Sequence, residues 1–160
     1  MADRRNATTL AGRKPGGTAL LDASKSRVLD CREAISELER ALEAPAGPAL
    51  DWRMRAVDAL SRLRGAFSDY LAFTEGPDGL FSDVEAHAPR LAHRVERLDA
   101  EQREILGLLD VELARALLVT DDPGTMRTRI LGVLERVLRH RQHSSDLLWD
   151  AYGFDIGIND

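Results

Sequence analysis

Four stretches of this chain repeat apolar residues at alternating steps of three and four, and each stretch ends in a segment that cannot continue a helix. This pattern predicts amphipathic helices with one buried face apiece. The first helix is expected from about Thr18 to Glu43, with Val28, Cys31, Ile35, Leu38 and Leu42 on one face. Gly47 and Pro48 end it. Asp51 is the expected N-cap of the second helix, whose seam is Ala56, Leu60, Leu63, Phe67 and Tyr70 and which stops near Glu75, where EGPDG at 75–79 is dense turn chemistry. A short helical turn is expected over Leu80 to Ala86. The third helix starts with Pro89 in its first turn, where a missing amide proton does no harm.

The third seam is Leu91, Val95, Leu98, Gln102, Ile105, Leu109, Glu112 and Ala116, and the fourth is Met126, Ile130, Val133, Val137, His140, Ser144 and Leu147. Between them TDDPG at 120–124 reads as a loop, with Asp122 or Thr125 as cap. Four such helices joined by short loops have one economical solution, an all-α, up-down-up-down four-helix bundle over residues 18–150. Residues 1–17 read as a flexible basic arm. Residues 151–160 read as a C-terminal tail that leaves the helix, since Tyr152, Phe154, Ile156 and Ile158 alternate with period two and Gly153 and Gly157 permit a turn. Trp52 and Trp149, near helix ends, are expected as packing anchors.

Charge and cysteine content narrow the function classes. The arm holds Arg4, Arg5, Arg13 and Lys14 against Asp3, a net of +3, so the rest of the chain carries −8 of the formal −5. An acidic body lacks the clustered cations that phosphate recognition needs, which argues against a nucleic-acid partner. No apolar run approaches the roughly 20 residues that span a bilayer, and the N-terminus lacks the apolar core of a signal peptide, so a cytoplasmic protein without a membrane partner is expected. The single cysteine, Cys31, allows neither an internal disulfide nor a thiolate zinc cluster and is expected as a small buried apolar residue.

Polar residues on the apolar seams are where chemistry would sit, because a carboxylate or imidazole is costly in a core unless something pairs with it. Gln102, Glu112, His140 and Ser144 are the inward candidates, with Gln102 and His140 level across antiparallel neighbours. His140, His143 and Asp146 at steps of three form a weaker zinc-like spacing. His87 and His93 fall off the seam and are expected on the surface, where Asp83–His87 and His93–Glu96 would be ordinary helix pairs.

The runs TEGPDGLF at 74–81 and APRLAHRVERL at 88–98, followed by Glu101 and Gln102, resemble the second and third helices of the hemerythrin-like, HHE cation-binding family. LDCREAI at 29–35 and HRQHSSDLLWDAY at 140–152 are similar to its first and fourth helices. The resemblance implies a bundle that holds a carboxylate-bridged iron pair. Carried over position by position, the ligands that remain are Glu75, Glu101 and His140. Arg32, Leu71, Gln102 and Ser144 stand where other ligands would be. One histidine and two acids leave a di-iron site short of donors, so the resemblance implies a vestigial site, with Arg32 turned inward and paired to Glu75.

Two functions compete on these grounds. The first is a non-enzymatic binding or interaction module with no cofactor, whose partner is a protein or a small molecule held in the polar layer. The second is an iron protein that senses oxygen, nitric oxide or redox state through Glu75, Glu101 and His140. Self-association as a homo-oligomer fits either.

Overall fold

The computed structural model describes residues 17–118 and 121–156, with side chains over 19–118 and 121–153. The expected basic arm before residue 17 lies outside the described residues. Helices α1 (Gly17–Glu43), α2 (Ala49–Thr74), α3 (Leu80–His87), α4 (Ala92–Leu118) and α5 (Pro123–Ile156) follow in order, with a 3-10 turn (Pro89–Leu91) leading into α4. The third and fourth helices expected from the sequence are therefore α4 and α5.

Cross-helix ion pairs give the direction of each element. Glu37 of α1 meets Arg62 of α2 at 2.8 Å, Asp110 of α4 meets Arg64 of α2 at 2.8 Å, and Glu104 of α4 meets Arg136 of α5 at 2.9 Å. Farther along the last two of these pairs, Arg103 on α4 reaches Glu75 just past the end of α2, and Arg129 on α5 reaches Glu112 on α4. In both, one partner's number falls as the other's rises, so these helices are antiparallel; α1 and α2, packed along each other across the short link at 44–48, reverse direction too, and the bundle runs up-down-up-down.

The apolar seams meet in one core. Leu38, Leu60, Phe67, Ile105, Ile130 and Val137 are all buried within it, as their spacing predicts. Leu98 is buried in a second cluster at the α3 end, with Phe81, Val84, Leu91, Leu147 and Tyr152. Helix α3 thus closes one end of the bundle. It can do so because the α2–α3 turn is very tight: Gly76 has a positive φ of 85°, and a Cβ on Gly79 would lie 2.2 Å from the Glu75 carbonyl oxygen.

At the opposite end, arginines satisfy carbonyls in the last helical turns and in the loops beside them. Arg127 donates to Leu42 O at 2.7 Å and Ala44 O at 3.3 Å, with its guanidinium 5.2 Å from the centre of the buried Trp52 ring. Arg53 donates to Ala116 O at 3.2 Å and to Asp121 O. The buried Glu112 is held by Arg129 at 3.0 Å, which explains one polar seam position as an ion pair.

Several expectations are corrected at element ends. Helix α2 starts with Pro48 as its N-cap, so Asp51 lies inside the first turn, where a carboxylate still favours the positive end of the helix dipole. Asp122 caps α5, accepting from the Thr125 amide at 3.1 Å. The expected tail does not begin at 151, because α5 continues through Ile156. Ser144, Leu147, Ala151 and Tyr152 are all buried and share one helical stripe at steps of three, four and one, so the helical period prevails over the period-two reading. Tyr152 is fixed there by donating to Asp83 at 2.5 Å and by stacking on His87, whose ring centre is 5.1 Å away. The side chains of Phe154 and Ile156, and all of Ile158, lie outside the described residues. Trp52 is an anchor as expected, but Trp149 is 70% exposed and lies flat over Gly153, where a Cβ would come within 3.0 Å of the indole.

The four long helices are not evenly packed. Helix α2 sits closely between α1 and α4, and α4 against α5, whereas α1 and α5 meet across a looser seam. Among the described residues no helix is long and apolar enough to cross a membrane.

Candidate functional site

His140 is the centre of the polar layer. Its side chain is 1% exposed, yet both ring nitrogens have partners. Nδ1 lies 2.9 Å from Glu101 Oε2 on α4, and Nε2 lies 3.3 Å from Ser144 Oγ one turn along α5. Tyr70 on α2 lies beside Ser144. Phe67, one turn before Tyr70, sets the imidazole's tilt through an edge contact with ring centres 5.8 Å apart.

Protonation gives this chain a direction. Burial pushes the Glu101 carboxyl up, but the hydrogen bond from His140 and the nearby imidazoles outweigh it and hold Glu101 below its ordinary value. A carboxylate only accepts, so Nδ1 of His140 carries the proton. Burial lowers the His140 pKa despite Glu101, so the ring is neutral near pH 7 and Nε2 is an acceptor. Ser144 must then donate to Nε2. The protons run Ser144, His140, Glu101, with the Tyr70 phenol beside the inner end. Burial pushes the Tyr70 phenol up to about 12, so it keeps its proton.

Gln102, next to Glu101, points the other way. It is fully buried and donates through Nε2 to Thr74 Oγ1 at 3.1 Å, while Thr74 donates to Leu71 O at 2.9 Å. One turn of α4 thus sends Glu101 to α5 and Gln102 to α2. Gln102 and His140 share the layer, each with its own partner.

The inward positions Gln102, Glu112, His140 and Ser144 are all buried, as expected. The expected Arg32–Glu75 pair does not exist. Arg32 is exposed on α1, one step off the seam that buries Cys31, Ala34 and Ile35. Glu75, at the C-terminal cap of α2, turns outward to Arg103 at 2.9 Å. Leu71 is half-buried. Asp146 is exposed and bonded to Gln142, so it does not complete a site with His140 and His143. His143 faces Glu101 Oε2 at 3.6 Å from the surface side, beside a groove lined by Arg94, Arg97 and Arg136. His93 pairs with Glu96 at 3.6 Å on the surface, as its position suggests.

These donors do not suit the iron pair that the resemblance implies. Glu75 faces away, Arg32 is outside, and the remaining acid and imidazole are committed to each other. Among the described residues there is no group of three or more His, Cys, Asp or Glu side chains able to hold a metal ion. Tyr70 and Thr74 were missing from the polar set read in the sequence. The steps from Phe67 to Tyr70 to Thr74 continue the α2 seam, and that spacing was the available signal.

A cavity of about 230 Å³ adjoins the inner end of the chain, in the loose seam between α1 and α5. Cys31, Phe67, Tyr70, Val137, His140 and Ser144 line its depth. Burial raises the Cys31 thiol to about 11, so it stays protonated and is a poor nucleophile. No protein-family model matches the chain, and no curated protein or solved structure is significantly similar to it.

Proposed function

We propose that the chain is a hemerythrin-like bundle in which hydrogen bonds have replaced the metal, and that it acts in the cytoplasm as a non-enzymatic binding module. The partner is a small molecule or a protein. The observation that carries this reading is His140: a buried imidazole with both nitrogens occupied, by Glu101 and by Ser144, has no lone pair left for iron. Gln102 and Thr74 satisfy each other in the same layer, a pairing that needs no ion. Glu75, the other retained acid, serves a surface pair with Arg103.

The alternative is an iron protein that senses oxygen, nitric oxide or redox state. It draws on one feature, the convergence of His140 and His143 on the same oxygen of Glu101. Elemental analysis of protein purified without added metal, with a visible absorption spectrum, separates the two. The binding-module reading expects far less than one iron per chain and no charge-transfer band. Near-stoichiometric iron with such a band would overturn it.

A further inference from the structure

We propose that the cavity between α1 and α5 binds a small monocarboxylate, whose apolar body of about one ring fills the depth while its carboxylate pairs with Arg141 at the rim. The inference deepens the binding-module reading and rests on it.

Size sets the body of the guest. The cavity measures about 230 Å³, and an apolar cavity of about 150 Å³ already accommodates a benzene ring. Val28 and Ile35 of α1, Phe67 of α2, and Val137 and Leu148 of α5 supply aliphatic and aromatic walls. An aromatic guest can stack on Phe67 or meet it edge-on. The entrance lies in the loose seam between α1 and α5, and spaces between bundle helices are a common place for a ligand.

Charge sets the head group. Near pH 7 Arg141 is the one charged side chain among the described residues that line the cavity, because Cys31 and Tyr70 keep their protons and burial keeps His140 neutral. The other arginines of α5 are engaged: Arg127 with carbonyls of the α1 end, Arg129 with Glu112, Arg136 with Glu104 and Arg139 with Glu135. Arg141 is exposed, and among the described residues it has no ion pair or hydrogen bond. Its planar fork of donors matches a carboxylate. Ser145, one turn further along α5, lines the same rim and brings a hydroxyl donor.

The depth keeps the head group out. Burial first, then the carboxylates of Asp30 and Asp69, push the Cys31 thiol up, and Arg141 offsets them only in part. An anion carried inward to Cys31 would lose its water and face those two acids. A cation gains nothing there either. Neither acid lines the cavity, so neither could replace the lost water, and the cation would have to pass Arg141. The charged end that fits is negative and stays at the rim.

The test titrates the full chain at pH 7 with benzoate and with benzamide, a neutral molecule of the same shape, and follows backbone amide signals by two-dimensional NMR. Benzoate is expected to saturate a single site about tenfold more tightly than benzamide, the lower end of what a hydrogen bond to a charged group contributes. The shifted signals should centre on α1 and α5 around Cys31 and Arg141. In Arg141→Gln the benzoate preference should vanish while benzamide binding persists. In Val28→Phe, which fills the cavity from its half-buried α1 wall, both should be lost. Failure of benzoate to bind, equal affinity for the two probes, or a preference that survives Arg141→Gln would each overturn the assignment. So would binding that survives in a folded Val28→Phe, or shifts centred on the arginine-lined groove between α4 and α5. Because Arg141 is exposed, Arg141→Gln keeps the test decisive if Val28→Phe does not fold. Iron content measured on the same preparation keeps the two readings apart. Stoichiometric iron would overturn the binding-module reading itself, whereas iron-free protein that ignores benzoate would overturn only the ligand class.

Discussion

The Nδ1–H of His140 donates to Oε2 of Glu101 across 2.9 Å, joining α5 to α4 within the polar layer of the interior. This bond determines the tautomer of a buried ring, and through it the orientation of the Ser144 hydroxyl. It also makes the fold sensitive to acid. An unfolded histidine titrates near 6.5, whereas burial holds folded His140 lower. Below 6.5 the unfolded chain therefore binds a proton that the folded chain does not, and stability falls with pH until the folded pKa is reached. Glu101, also below its ordinary 4.5 when folded, adds a second loss that starts near that value and continues downward. Melting temperatures should decline from pH 7 to pH 5, and His140→Gln should flatten this first decline and also weaken the second, because His140 supplies most of what holds Glu101 down.

The Thr74–Gln102 pair predicts strong non-additivity. Thr74→Val strands a fully buried amide and should cost about 1 to 3 kcal/mol in denaturant unfolding. Adding Gln102→Leu to that variant should recover part of the loss, because two apolar groups of similar shape then face each other. Equal and additive costs would mean that the pair contributes nothing as a pair.

Arg32 and Glu75 should behave as independent surface residues. Arg32→Met and Glu75→Gln are each expected to leave the melting temperature almost unchanged, and the double variant should equal the sum of the two. A large cost for either single change would mean an internal ion pair after all.

Much of the bundle could be read from the seams, and so could its polar interior, because one rule of spacing places apolar core positions such as Ile105 and polar ones such as His140 alike. What spacing could not supply was direction within a turn. Arg32 directly follows buried Cys31, and a rotation of about 100° per residue is enough to carry a long side chain from core to solvent. Glu75 lies at a helix end, where the chain's exit rather than the helical period decides where the side chain points. The last turns of α5 read two ways in sequence because Tyr152 belongs both to the period-two run with Phe154, Ile156 and Ile158 and to the helical stripe of Ser144, Leu147 and Ala151. The choice was made by α3, a distant segment that offers Asp83 and an apolar surface to Tyr152.

That dependence gives a prediction for the C-terminal end. Tyr152→Phe removes the bond to Asp83 but keeps the ring, and should cost about 0.5 to 1.5 kcal/mol. Tyr152→Ala also empties its place against α3 and should cost more, with amides of α3 losing hydrogen-exchange protection before those of the main core. Uniform loss across the bundle would show that α3 and the end of α5 do not form a local unit.

The account stands on the state of one ring, so nitrogen NMR of His140 in protein purified without added metal tests it most directly. At neutral pH the account predicts a neutral imidazole with a protonated Nδ1 and an unprotonated, hydrogen-bonded Nε2, and signals that do not change when ferrous iron is added. A proton on Nε2 instead, or His140 resonances broadened away by bound iron, would contradict it.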